Sequence, residues 1–479
     1  MKFGGFLRTE WDFNAGGSLT TFTSGTNAQF YRAGDQLTTR ARAVLTTDVR
    51  EQTGFGTLRA YFAGGWQYTS NDSPTLSLPG VQVPVAGGAA TAAAAPNLNG
   101  NAYLLRAFIQ WGGFTFGKTA SFFDFFNTSK YTYQTNFLYQ DYAGVGVNTY
   151  GYTQQLGNGI AASIAVQDPT QFEHPIVDVT AAGAAGSFGG FVGAGANPFV
   201  LGAAPTSSAW QNAGFLVPDI VGSVRIDQTW GGAQVAAILH DNRARYYNNT
   251  LAATGTVAGA SHPSDKWGWA VSGGLELNLP WAKGDTLAVQ SQYCVGDTES
   301  CYNNSGTRLT DLAWSLVNNN NKVGLGFQDD AFFANTAATG ATGLQLSTMW
   351  NVFAGIQHYW VPDVRTSLYG GYAEYKANSS AVDTTICAPF HAAQAAVSAT
   401  GCADWAAWQI GSRTIWNPVR NLDIGVEGLY TDLSKSAFSG ARVAFVPSNS
   451  GQAAPGSTFT AGSTHVWSGI VRVQYNFNP

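Results

Sequence analysis

A period of two dominates the chain. Over residues 6–13, Leu7, Thr9, Trp11 and Phe13 share one face while Arg8, Glu10 and Asp12 share the other. This is the alternation of a strand with one apolar and one wet side. Near the other end, Trp467, Val471, Val473, Tyr475 and Phe477 lie opposite Ser468, Arg472, Gln474 and Asn476. Between them the pattern predicts strands near 38–50, 55–68, 102–111, 114–120, 144–154, 159–167, 219–230, 233–245, 267–279, 285–297, 344–360, 364–376, 405–417 and 421–433, sixteen with the terminal pair. About ten residues is the length a tilted strand needs to cross a bilayer.

The connections alternate between two lengths. Short ones fall at Glu51–Gly54, Gly112–Gly113, Gln155–Asn158, Gly231–Gly232, Pro280–Gly284, Val361–Asp363 and Pro418–Arg420, all rich in residues that tolerate tight turns. Long ones cover 14–37, 69–101, 121–143, 168–218, 246–266, 298–343, 377–404 and 434–462 and hold most of the Gly, Ala, Ser and Asn. A two-sheet secreted protein also alternates, but it has no reason to sort its loops by side. The expectation is therefore an all-β chain, a 16-stranded antiparallel transmembrane β-barrel forming a single domain over 1–479. Its turns would be periplasmic, its long loops extracellular and its termini in the periplasm. An even count lets strand sixteen pair with strand one, as it must where no water reaches an open edge.

Composition narrows the class. Of 479 residues, 11% are charged and 13% aromatic, where ordinary soluble chains carry about 25% charge. The aromatic content excludes a disordered chain, and the lack of any run of about 20 apolar residues excludes membrane helices. A net charge of −5 without a basic cluster excludes the electrostatic footprint of a nucleic-acid partner. The cysteines form local pairs, Cys294/Cys301 and Cys387/Cys402, a spacing that suits two loop-closing disulfides in an oxidising compartment better than zinc. The patterned strand begins within a few residues of Met1, so a cleaved leader is read as absent.

Inward parity is where the charges go. Counted from the short turns and termini, Arg8, Arg59, Arg106, Arg225, Glu276, Arg413, Glu427 and Arg472 fall near mid-height on that face. A charge on the lipid face there costs about 2–4 kcal/mol, so a belt of one parity implies water inside. Arg8, Arg40, Arg42, Arg59 and Arg106 cluster on the early strands and would make one wall positive. Pairing with Glu10, Asp12 and Asp48 in a plugged interior is the duller alternative, although a sixteen-stranded bore is too wide for its own side chains to fill. The segment 121–143 opens Ser-Phe-Phe-Asp-Phe-Phe-Asn and continues through Tyr131, Tyr133, Tyr139 and Tyr142. Such a patch will not stay in bulk water. It is expected to fold inward with Asp124 and Asp141 near the narrowest point, or to pack outward on a neighbouring subunit. Lys118 breaks the scheme, sharing parity with the outward Phe114 and Phe116.

The stretches Phe55-Gly-Thr-Leu-Arg59, Arg106-Ala-Phe-Ile-Gln-Trp-Gly-Gly-Phe-Thr-Phe-Gly-Lys118 and Ser121-Phe-Phe-Asp124-Phe resemble the alphaproteobacterial outer-membrane porins of the Rhizobiales type. The resemblance is specific over about 38–145. It implies a homotrimer in outer-membrane lipid and lipopolysaccharide, each barrel a passive pore narrowed by its third loop. Asp124 and Asp141 would then face Arg8, Arg40, Arg42, Arg59 and Arg106. Two features depart from the family: the ending Phe477-Asn478-Pro479 in place of a terminal aromatic, and the long Gly/Ala/Phe-rich segment 168–218.

Competing motifs fail on context. Gly112-Gly-Phe-Thr-Phe-Gly-Lys118-Thr119 matches the phosphate-loop pattern, but Phe114-Thr-Phe is strand material and no amphipathic helix follows. Gly193-Ala-Gly-Ala-Asn-Pro198 breaks the dinucleotide fingerprint at its third glycine. His174, His240, His262, His358, His391 and His465 are scattered and read as single surface or lumen residues. No catalytic set, cofactor or metal is expected, and no ligand spacing supports calcium between subunits. The expected function is general diffusion of small hydrophilic solutes and ions. A sugar-selective channel using Tyr131, Tyr133 and Tyr139 is one rival, and a plugged barrel serving as adhesin or surface anchor is another. Wall arginines favour anions while loop carboxylates favour cations, so selectivity stays open.

Overall fold

The computed structural model describes residues 1–15, 17–19, 37–69, 77–78, 81–82, 101–125, 128–133, 146–170, 172–180, 191–192, 199–201, 211–247, 262–302, 312–318, 322–336, 340–445 and 458–477. Sixteen of its strands close into one barrel. In chain order they are β1 (Lys2–Ala15), β2 (Leu37–Thr53), β3 (Gly56–Thr69), β4 (Asn101–Trp111), β5 (Phe114–Thr119), β6 (Val147–Gly157), β7 (Ile160–Gln167) and β8 (Asp219–Gln228). They continue as β9 (Gly231–Asn242), β10 (Lys266–Asn278), β11 (Thr286–Val295), β12 (Thr348–Val361), β13 (Val364–Lys376), β14 (Trp405–Trp416), β15 (Leu422–Lys435) and β16 (Thr464–Phe477). Each pairs antiparallel with its sequence neighbour, and β1 closes on β16 with Arg8 opposite Gln474 and Glu10 opposite Arg472. No backbone edge is left for the bilayer to desolvate.

The turn ends are set by local chemistry. Gly112 and Gly113 have φ of 57° and 90°, and Asn158 and Gly159 have 50° and 72°, the left-handed pairs that a two-residue hairpin requires. The Asn-Gly turn lies just beyond the Gln155–Asn158 expected from pattern, because β6 runs on to Gly157. Outward faces are greasy: Leu7, Trp11, Phe62, Trp66, Val235, Leu368 and Val426 are all exposed. Aromatics gather in two rings. Near the turns stand Phe55, Trp111, Trp230, Trp281, Trp360 and Trp416, and near the long loops Trp350 meets Tyr372 at 5.0 Å while Tyr430 meets Trp408 at 5.3 Å and Trp467 at 4.9 Å. Ten residues separate Trp350 from Trp360 on β12. At about 3.3 Å per residue and a tilt near 45°, the rings are about 23 Å apart, close to the apolar band of such barrels.

Lys118 sits where the pleat breaks. Gly117 has φ +113°, a conformation side chains avoid, and Lys118 beyond it is half-buried, within the field of Arg106. Both cysteine pairs form disulfides, Cys294–Cys301 and Cys387–Cys402.

The long-loop end carries more order than its composition implies. Short strands Gly17–Leu19, Phe191–Val192, Phe199–Leu201, Leu312–Asn318, Lys322–Phe327, Arg442–Phe445 and Thr458–Ala461 build a seven-stranded sheet of their own. A core of Tyr302, Phe327, Phe332, Ile386, Phe390, Trp405 and Phe438 lies among these loops and the strand ends. This cap buries apolar area that a mobile loop would leave wet.

Candidate pore constriction

The third long connection leaves β5 and turns into the barrel. Ser121 starts it, donating to Gln167 at 2.8 Å and accepting the Phe123 N–H at 3.1 Å. Along the far wall, Gln234 of β9 donates to the Asp124 carbonyl at 3.0 Å, and Arg225 of β8 donates to the Phe125 carbonyl at 3.0 Å with its guanidinium 5.0 Å from the Phe125 ring. Lys130 pairs with Glu276 of β10 at 2.8 Å, and Tyr131 donates to the Glu276 carboxylate at 3.2 Å. Further on, Thr132 Oγ1 and the Tyr133 N–H donate to Glu427 of β15 at 2.7 and 2.5 Å, where Tyr369 adds a third bond at 2.7 Å. Arg413 of β14 donates to the carbonyls of Ser129, at 2.9 Å, and of Lys130.

The loop therefore hugs the wall from β8 round to β16, and its anchors are residues of the inward belt. Arg413 and Glu427 are only 3% and 2% exposed. The sequence reading placed them facing water; they lie instead beneath the loop, because its unpaired backbone groups need partners when buried. Arg225 and Glu276, half-buried, also bind it.

Glycines make the sockets. A Cβ at Gly355 would stand 2.8 Å from Tyr131, and a Cβ at Gly151 would stand 2.6 Å from Phe122. At Gly274 and Gly425 it would overlap Phe125 and Tyr133. The wall gives up side chains where the loop inserts rings, a packing role no period-two pattern signals.

The remaining wall, β1 to β4 with β16, keeps the arginines. Arg8 donates to Gln474 at 2.7 Å, Arg42 to Gln67 at 2.6 Å, and Arg59 to Gln110 at 2.9 Å and to Asp48 at 3.1 Å. Arg40 and Arg472 share Glu10 at 2.8 and 2.6 Å. Around Glu10 and Asp12, two carboxylates, stand four guanidiniums: Arg8, Arg40, Arg42 and Arg472. Positive charge is thus in excess. Arg472 reaches the loop too, lying 3.8 Å over the Tyr133 ring with Arg413 at 4.7 Å. Arg106 donates to the Leu105 carbonyl at 2.8 Å. The Asp124 carbonyl rests by β9, eight strands round from β1. Asp141, Tyr139 and Tyr142 lie outside the described residues.

Sequence reasoning missed a second cluster, at the loop end. His174 and His240 are not surface or lumen residues but 2% exposed, with Asp219, Asp297, Glu299 and Asp330 all at 1% or less. Burial among other carboxylates pushes the Asp297 and Glu299 carboxyls well above the usual range, and burial takes His174 down to about 4.

Among solved structures, the fold is similar to the outer membrane channel DcaP of Acinetobacter baumannii, at TM-score 0.56 and 13% identity over 99% of this chain and 96% of that one. An anion-selective porin from Comamonas acidovorans aligns at TM-score 0.44 and 12% identity over 99% and 98%. OmpF of Salmonella typhi aligns at 0.41 and 10% over 98% and 97%. Identities this low speak to the fold alone, and the last two do not bear on the pore. No curated protein sequence matches the chain. The model of the Porin subfamily matches residues 1–470, nearly the whole closed barrel, and the chain accordingly belongs to that family, as an outer-membrane porin channel.

Proposed function

We propose that the chain is a general-diffusion pore that passes small hydrophilic solutes and ions with a preference for anions. The observation that carries this is the arginine wall. Arg8 and Arg42 bond neutral glutamines, which orient a guanidinium without cancelling its charge, and the four guanidiniums near Glu10 and Asp12 outnumber them by two. Low-dielectric walls around a narrow aqueous bore focus that field. Reversal potential in a KCl gradient tests the reading: the zero-current voltage takes the sign of chloride permeation, and a cation-selective sign overturns it.

A sugar track is less well supported, since Tyr131 is wholly buried and the Tyr133 ring is already engaged by two guanidiniums. In the bilayer we place the long loops outside, the termini in the periplasm, and three copies together. Outward Thr9, Ala41 and Ala43 form a shallow apolar groove between Trp66, Tyr68 and Tyr475, a shape another barrel wall can fill. Light scattering of the detergent-solubilised protein checks the trimer.

A further inference from the structure

The loop-end cluster draws on four stretches of chain. His174 lies in the segment after β7, Asp219 opens β8, His240 is near the end of β9, and Asp297, Glu299 and Asp330 follow β11. Ligand-type atoms of His174, Glu299 and Asp330 lie within 4.8 Å of one another, and so do those of Asp219, His240 and Glu299. Glu299 belongs to both triads. It sits inside the ring closed by Cys294–Cys301, beside Thr298, whose carbonyl accepts the N–H groups of Cys301 and Tyr302.

We propose that this cluster is a buried binding site for a divalent transition-metal cation, centred on the Glu299 carboxylate and completed by the flanking His and Asp groups. Three observations support it. The Glu299 side chain is fully buried, yet among the described residues neither carboxylate oxygen accepts a hydrogen bond, and its closest ion-pair partner is His240 Nδ1 at 3.6 Å. A buried carboxylate so placed is strongly destabilising unless a cation offsets it. Among the described residues, no Lys or Arg pairs with Asp219, Asp297, Glu299 or Asp330, so four carboxylates have only two imidazoles for balance. Spacing also fits: His240 Nδ1 is 2.8 Å from Asp219 and 3.6 Å from Glu299, bracketing the ~3.3 Å between ligand atoms around a tetrahedral ion with bonds of about 2.0–2.1 Å. Imidazole in the donor set favours zinc, cobalt or nickel over calcium or magnesium, which take oxygen. A hydroxyl shell is in place: Thr298 Oγ1 lies 2.7 Å from both His174 Nδ1 and Asp330 Oδ1, which orients both.

Such an ion would clamp the segment after β7, the β8–β9 wall and the segment after β11 to one another. The test uses the full-length protein extracted from membranes without chelator. Elemental analysis should find at least one transition-metal ion per chain. After chelation, calorimetric titration with Zn2+ should restore that stoichiometry, with affinity at least tenfold weaker in Glu299→Gln and unchanged in Asp265→Asn, whose carboxylate pairs with Arg243 on the surface. If Glu299→Gln does not fold, Co2+ added to the chelated wild-type protein decides: ligand-field bands of a nitrogen- and oxygen-bound ion support the site. No metal in the extract together with no uptake of Zn2+ or Co2+ overturns it, and so does full-strength Zn2+ binding by a folded Glu299→Gln.

Discussion

Glu427→Gln tests whether the pore loop is held by its wall contacts. The native carboxylate accepts three hydrogen bonds, from Thr132 Oγ1, the Tyr133 N–H and Tyr369, at 2.5–2.7 Å. Glutamine has nearly the same volume but offers one acceptor oxygen and one donor group. Exchanging charge-assisted bonds for neutral ones loses about 1 kcal/mol each, about 3 kcal/mol for the set. The new NH2 group would also face a donor, and leaving a buried group unpaired adds about 1–3 kcal/mol. Together these amount to about 4–6 kcal/mol, roughly a thousandfold to ten-thousandfold in the ratio of docked to undocked loop. Wild-type channels in planar bilayers should hold one conductance level; Glu427→Gln channels should flicker between levels with a higher open maximum. Barrel strands are untouched, so the heat-resistant band on gels should persist. An identical conductance with identical noise would mean that the loop is held by something other than this carboxylate.

Other predictions concern separate parts of the molecule. Gly425→Ala puts a methyl into the space of the Tyr133 ring and should alter conductance as Glu427→Gln does, whereas Gly428→Ala on the same strand meets nothing within 4 Å and should be silent. Replacing both Arg8 and Arg42 by Gln removes two guanidiniums that bond glutamines rather than carboxylates and should move the reversal potential towards cations; an unmoved potential places the selective field elsewhere. Cys387→Ala with Cys402→Ala opens a 15-residue ring, worth about 3 kcal/mol in the loop-closure model. Hydrogen exchange should then quicken around Phe390 and Phe438, which pack at 4.9 Å, while conductance at rest stays as in wild type.

How legible this fold was depends on the range of each signal. Strand period and loop length are local and carried by every residue, so they survive a single-sequence reading; the sixteen-stranded order and the charge parity of Arg8, Arg59 and Glu427 came from them alone. The pore loop shows the limit. Its aromatic content predicted that it must bury itself, but not where, because its destination is written in residues up to about three hundred positions away: Glu427 bonds Thr132 at a separation of 295. The sockets at Gly274, Gly355 and Gly425 look, in sequence, like weak spots in a strand. Inward parity therefore fixes which side of the wall a group lies on and nothing about what covers it, which is why Arg413 and Glu427 passed for water-facing charges.

The loop cap marks a second limit. Its strands are two to seven residues long, too short to show a period, and they pair across connections far apart in sequence, Leu19 with Leu316 for instance. A histidine in such a region carries no pattern, so His174 and His240 read as isolated although the fold brings both to Glu299. Burial of the whole group at 2% exposure or less is itself informative. Ionic groups are retained in a core at a cost in stability, and a cap needed only to cover apolar surface would be more stable with leucine in their place. The cost is offset once an ion ties the segments together, since binding the folded form alone stabilises it by mass action. On that account the loop end of this porin should be firmer with metal than without it, while the arginine wall and its selectivity should not respond.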